Sequence, residues 1–205
     1  LPISYQVAMS YSDDAGATWL QGQQACLPAA IDTTSITPMR LRAAAVGGRV
    51  LLLAHVEGAD WDEVYQYASS DAGCTFTLVD TLTGAPYGYP EVVALAGVFV
   101  VALLQNGAVS PYTQPVVRRL ASPFSKLSAA DAVTVDGASP MDWAAPTSAL
   151  ASGNYWTAGE LALWADEDGT LYLAGLDFQG KAEGYLQCSQ DGGDRKSTRL
   201  NSSHG

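Results

Sequence analysis

Three stretches of the chain place two apolar blocks on either side of a short turn. Leu41 to Val56 reads LRAAAVGGRVLLLAHV, Glu91 to Leu104 reads EVVALAGVFVVALL, and Glu160 to Leu176 reads ELALWADEDGTLYLAGL. Short apolar blocks bounded by glycine turns predict hairpins of buried β-strands. The turns are Gly47-Gly48, Gly97 and Asp166-Glu167-Asp168-Gly169, the residue types that tight chain reversal requires. A more polar third strand is predicted after each hairpin, over Val64 to Ala68, Val116 to Leu120 and Tyr185 to Cys188, and a fourth over Thr75 to Val79. The longest apolar run, Val92 to Leu104, has thirteen residues with Gly97 inside it. A membrane-spanning helix needs about twenty, so this run predicts two buried strands. Helix-tolerant sequence is confined to short stretches such as Ala129 to Ala132.

One motif punctuates this pattern. Ser12-Asp13-Asp14-Ala15-Gly16-Ala17-Thr18-Trp19 reads S-x-D-x-G-x-T-W; the stretch from Ser69 through Asp71, Gly73 and Thr75 to Phe76 repeats it with Phe for Trp. Ser189-Gln190-Asp191-Gly192-Gly193 begins it again and then departs. The aspartates at 14, 71 and 191 are separated by 57 and 120 residues, close to one and two copies of a single period. Val116 to Lys126, VVRRLASPFSK, is read as a degenerate copy in the gap, with a strand-like start and a Ser122-Pro123 turn but without the Asp and Gly. Four antiparallel strands recurring at this spacing describe the blades of a β-propeller. The expected fold is therefore all-β, a partial β-propeller of four-stranded antiparallel blades. Residues 1–193 would hold the outer half of one blade, two full blades and most of a fourth.

The S-x-D-x-G-x-T-W motif resembles the Asp-box (BNR repeat) of the sialidase superfamily, which includes sialidases, xyloglucan-cleaving glycosidases and sortilin-type receptors. The resemblance extends over residues 3–193. Its physical content is structural: Asp14 and Asp71 can accept backbone N–H bonds inside a tight turn. Gly16 and Gly73 allow a positive φ, and Trp19 and Phe76 are expected to pack between neighbouring blades. Calcium binding by the same aspartates is the rival reading, but no box supplies the further carboxylates that a calcium loop uses. For function the resemblance is unspecific, since one fold hosts many activities.

Charge narrows the partners. The 205 residues carry a net charge of −11. The last twelve, 194–205, read DRKSTRLNSSHG. One frame of a common short-read sequencing adapter encodes the first eleven of these, so 194–205 is read as a non-native tail. Without it the 10 basic and 21 acidic residues fall to 7 and 20, a net of −13. Such a surface disfavours nucleic acid and anionic membranes, and no membrane insertion is expected. Leu1 rather than Met opens the sequence, so a processed or missing N-terminus is expected, and no signal peptide is visible. Cys26, Cys74 and Cys188 match no zinc or redox spacing. Neither a metal nor a cofactor is called for.

Antiparallel connectivity puts the hairpin turns and the boxes on one face and the long connections on the other, where function concentrates. The long connections hold Asp60, Trp61, Asp62, Glu63, Tyr87, Tyr89, Tyr112, Trp143 and Trp156. Aromatic rings that stack on sugars and carboxylates that bond hydroxyls suit carbohydrate; core packing is the plainer role for each ring. A sialidase-like site, as the resemblance implies, uses three arginines, a Tyr activated by Glu, and an acidic Asp. The F/Y-R-I-P start of that group is not seen: Pro38-Met39-Arg40-Leu41 lies at an inner-strand entry, but in another order. A two-carboxylate glycosidase could draw on Asp60, Asp62 and Glu63. His55, in an apolar strand, is expected to be a packed residue rather than a base, and no G-x-S-x-G or phosphate-binding glycine loop occurs. The expected function is a binding or interaction module for glycan or protein on the loop-rich face, in an extracellular or secretory setting. The alternative is part of a sialidase-like glycoside hydrolase.

Overall fold

The computed structural model describes residues 6–7, 10–12, 14–21, 25–26, 37–57, 62–83, 88–106, 113–130, 132–134, 161–177 and 183–189. Among them the chain is built of antiparallel strands with one 3-10 turn, Leu127–Ala129. Short strands β1 (Gln6–Val7), β2 (Ser10–Tyr11), β3 (Leu20–Gln21) and β4 (Ala25–Cys26) pair as one nested hairpin around the first Asp corner, β2 with β3 and β1 with β4.

Two complete four-stranded sheets follow. The first runs β5 (Thr37–Val46), β6 (Arg49–Glu57), β7 (Asp62–Ser69) and β8 (Thr77–Leu82), each strand pairing with the next. The second runs β9 (Gly88–Leu95), β10 (Val98–Asn106), β11 (Thr113–Leu120) and β12 (Ala132–Thr134). A third sheet contains β13 (Ala162–Ala165), β14 (Leu171–Asp177) and β15 (Glu183–Ser189) among the described residues. The opening strand of each sheet lies beside that of the next, β5 against β9 and β9 against β13. Successive up-and-down sheets whose first strands gather together are the blades of a propeller around its axis. In the second sheet β11 leads into the corner at 121–126, and β12 pairs with it as the fourth strand.

Strand β10 shows why its sequence is apolar at every position. Phe99, Val101 and Leu103 join Leu51, Leu53, Val64 and Leu82 of the preceding blade, whereas Val100, Ala102 and Leu104 join Leu161, Leu163, Leu171 and Leu173 of the following one. Both faces of the sheet are buried, so the usual alternation of polar and apolar positions disappears.

The two Asp corners are near copies. In each, the serine hydroxyl donates to the aspartate, Ser12 to Asp14 and Ser69 to Asp71, at 2.7 Å. The same serine oxygen accepts from the glycine N–H, Gly16 at 2.7 Å and Gly73 at 2.9 Å. The aspartate accepts the backbone N–H of Thr18 or Thr75 at 2.8 Å and the threonine hydroxyl at 2.6 Å. Left-handed backbone at Ala15 (φ 57°) and Gly16 (90°) is matched by Ala72 (58°) and Gly73 (87°). Trp19 corrects one expectation. It is 66% exposed and lies over its own Gly16, 3.9 Å from where a Cβ would stand, rather than between blades.

Hydrogen bonding holds both corner carboxyls low, at about 2 against the usual 3.8. For Asp14 the Thr18 hydroxyl contributes most, then the Thr18 N–H and the Ser12 hydroxyl. For Asp71 the order is Thr75 hydroxyl, Ser69 hydroxyl, Thr75 N–H. A carboxyl whose folded pKa lies below its unfolded value stabilises the fold fully above the unfolded pKa. That contribution is lost as pH falls from about 4 to about 2. Chemical unfolding measured across this range should show Asp71→Asn closing part of the gap to the parent chain as pH drops. An unchanged gap would mean the corners do not hold ionised carboxylates.

Candidate functional site at the loop-rich end

The inner strands are irregular where they enter from the loop-rich end. On β5 the register steps from Thr37↔Glu57 to Met39↔Val56, leaving Pro38 as an extra residue. On β9 it steps from Gly88↔Leu104 to Glu91↔Ala102, so Tyr89 and Pro90 face Leu103 alone. Each is a β-bulge with a proline, whose missing N–H is tolerated where the ladder is already broken. Below the bulges Arg40 pairs directly with His55 across β5 and β6.

Five polar or aromatic side chains converge there from three strands. The Arg40 guanidinium carbon stands 4.5 Å from the centre of the Tyr89 ring. The buried His55 ring lies 5.8 Å from the same ring at 46°. Arg42 Nε donates to Glu91 Oε1 at 2.6 Å, joining β5 to β9; the Arg42 side chain is 41% exposed and Glu91 14%. Arg42 also donates to the Leu41 carbonyl at 3.0 Å. Alternation along β5 puts Arg40 and Arg42 on the face that carries Ala44 and Val46 to the blade junction.

Tyr65 and Glu63 form a second pair on β7: the phenol donates to the carboxylate. Burial pushes the Tyr65 phenol above its usual range, and the bond to Glu63 pushes the same way. With 3% of its surface exposed, Tyr65 is part of the buried core.

Of the loop residues singled out by sequence, Tyr89 joins the cluster and Glu63 lies in the Tyr65 pair. Asp62 opens β7. Asp60, Trp61, Tyr87, Tyr112, Trp143 and Trp156 lie outside the described residues, as do Asp191, Gly193 and residues 194–205; Ser189 ends β15. Sequence reading missed Arg42 and Glu91. The nearness of Arg40 and Arg42 at the entry to one predicted strand was the available signal, but the partner of Arg42 is 49 residues away. Among the described residues no helix is long and apolar enough to cross a membrane, and no cluster of three metal-ligating side chains occurs.

No protein-family model and no curated protein matches the sequence significantly. Solved structures do match in shape. An α-L-arabinanase of Penicillium chrysogenum, determined with arabinobiose, aligns at a TM-score of 0.61 and 16% identity over 94% of this chain and 57% of its own. The α-L-arabinofuranosidase of Fusarium graminearum, of glycoside hydrolase family 93 and also determined with arabinobiose, aligns at 0.57 and 13% over the same shares. The chain thus spans little more than half the length of either. At these identities the likeness is one of fold, and the fold shared is the β-propeller.

Proposed function

We propose that the loop-rich end of this propeller binds carbohydrate, with Arg40, His55, Tyr89, Arg42 and Glu91 forming the floor of the site. The convergence of these groups where the inner strands enter is the observation that carries the reading. A ring face offers stacking to the apolar side of a sugar, and guanidinium and carboxylate groups offer directed bonds to hydroxyls. Two propellers of the same fold were determined with arabinobiose, which supports a sugar over a protein partner. The Asp corners belong to this proposal as Asp-boxes of the sialidase-superfamily kind, as do the division of the chain at 193/194 and an extracellular or secretory setting.

Calorimetric titration of the 205-residue chain with arabinobiose and longer pentose and hexose oligosaccharides tests the reading. Binding by at least one of them, weakened about tenfold or more by Arg40→Ala, is expected, since a bond to a charged group contributes about 1.5–3 kcal/mol. A folded chain that binds none of them defeats it. Hydrolysis is a second reading, favoured by one observation: the Glu91 carboxyl, paired with Arg42, stands on an innermost strand. A glycosidase needs a second carboxyl about 5–9 Å away, and Asp60, Asp62 and Glu63 are the candidates. Release of reducing sugar by the parent chain, abolished in Glu91→Gln, would establish it.

A further inference from the structure

Among the described residues four non-glycine positions have positive φ: Ala15, Ala72, Ala96 and Tyr89. The three alanines stand in turns that reverse the chain, where a left-handed residue is required. Tyr89, at φ 52°, stands inside strand β9, where chain reversal demands nothing of the kind. Left-handed backbone at a bulky residue is strained, and such strain persists only where the surroundings impose it. Here it accompanies the bulge over Gly88 to Pro90. A bulge re-aims a side chain that regular alternation would send elsewhere.

The new aim is visible in the contacts. Tyr89 packs on the cluster of Val100, Ala102 and Leu104, which belongs to the junction with the following blade. Yet its ring also meets Arg40 and His55, which belong to the preceding one.

We propose that Tyr89 is a positioning residue of the loop-rich end: the bulge holds its ring against the Arg40 guanidinium, and Arg40 held in this way meets the ligand. The ligand clause rests on the carbohydrate reading above; the positioning clause does not. An aromatic face fixes a guanidinium without consuming its N–H donors.

Nuclear magnetic resonance of the arginine Nε–Hε groups in the full chain tests this, with Arg40→Lys identifying the Arg40 signal by its loss. The parent signal is expected to carry a ring-current shift. Tyr89→Phe should keep that shift, and Tyr89→Leu, which retains apolar bulk but no ring, should abolish it. If Tyr89→Leu does not fold, Tyr89→Gly serves as the ringless variant, since glycine accepts this φ freely. Titration with arabinobiose should then weaken about tenfold in the ringless variant and little in Tyr89→Phe. A shift that survives loss of the ring, or disappears in Tyr89→Phe, overturns the proposal. Absence of arabinobiose binding by the parent counts against the carbohydrate reading, while the Arg40 signal still decides the role of Tyr89.

Discussion

Replacing Gln66 by leucine should lower the melting temperature by about 10 °C, because one side chain satisfies a whole corner of the neighbouring blade. Gln66 is 1% exposed. Its Nε2 donates to the Pro123 carbonyl at 2.7 Å and to the Ser125 carbonyl at 2.8 Å, and its Oε1 accepts the Leu127 N–H at 2.8 Å. The corner it serves is the degenerate one. There Ser122 stands where the other corners have Asp, and its short hydroxyl accepts only a 3.2 Å bond from Phe124 N–H. The bonds that Asp14 and Asp71 make within their own turns are replaced by an amide from another sheet. Each buried backbone group left without a partner costs about 1–3 kcal/mol, so three partly buried ones make about 3–5 kcal/mol a reasonable loss. For a chain of this size each kcal/mol moves the melting point by about 2–4 °C. Gln66→Glu sharpens the test. At neutral pH it sets a carboxylate oxygen against two carbonyl oxygens, and it should recover stability as falling pH protonates that carboxyl and restores a donor. Thermal melts at pH 7 and pH 5 read both effects. A Gln66→Leu variant as stable as the parent would show that the corner stands without its neighbour.

How much of this the sequence disclosed depends on how far apart the interacting residues lie. Hairpin turns at Gly47-Gly48 and Gly97 are local, so the strands on either side emerge where pattern puts them. The Asp corners are legible for the same reason, since every bond in them spans four residues or fewer. Gln66 reads in the sequence as an ordinary polar residue of a third strand, because its partners are 57 to 61 residues away. Arg42 and Glu91 were hidden likewise. Tyr89 reads in the sequence as a loop aromatic, but Gly88-Tyr89-Pro90 begins strand β9, and only the register break shows that its proline marks a bulge. Trp19 misled for a different reason: its motif fixes the local turn, whereas packing between blades depends on what surface the rest of the chain brings to it.

A comparably large loss is expected from Phe99→Ala, and its position on β10 makes it informative about how the blades are coupled. Phe99 is fully buried at the junction between the β5–β8 and β9–β12 sheets, whereas Leu104, on the other face of the same strand, is buried at the junction with the β13–β15 sheet. Truncating a buried phenylalanine costs about 3–5 kcal/mol, and truncating a buried leucine about 2–5, through lost transfer energy and the cavity left behind. Leu41→Ala on β5 should cost less than either, because 39% of the Leu41 surface stays in water in the folded chain. In stacked repeats stability divides into what each unit contributes and what each junction contributes. Phe99→Ala should therefore raise amide hydrogen exchange first in strands β6 and β7, and Leu104→Ala first in β14, although the two residues are only five positions apart. Urea unfolding with exchange read strand by strand distinguishes this from a single shared core. If both variants loosen all three sheets equally, the blades do not behave as separable units, and the alternation of β10 between two junctions carries no energetic meaning.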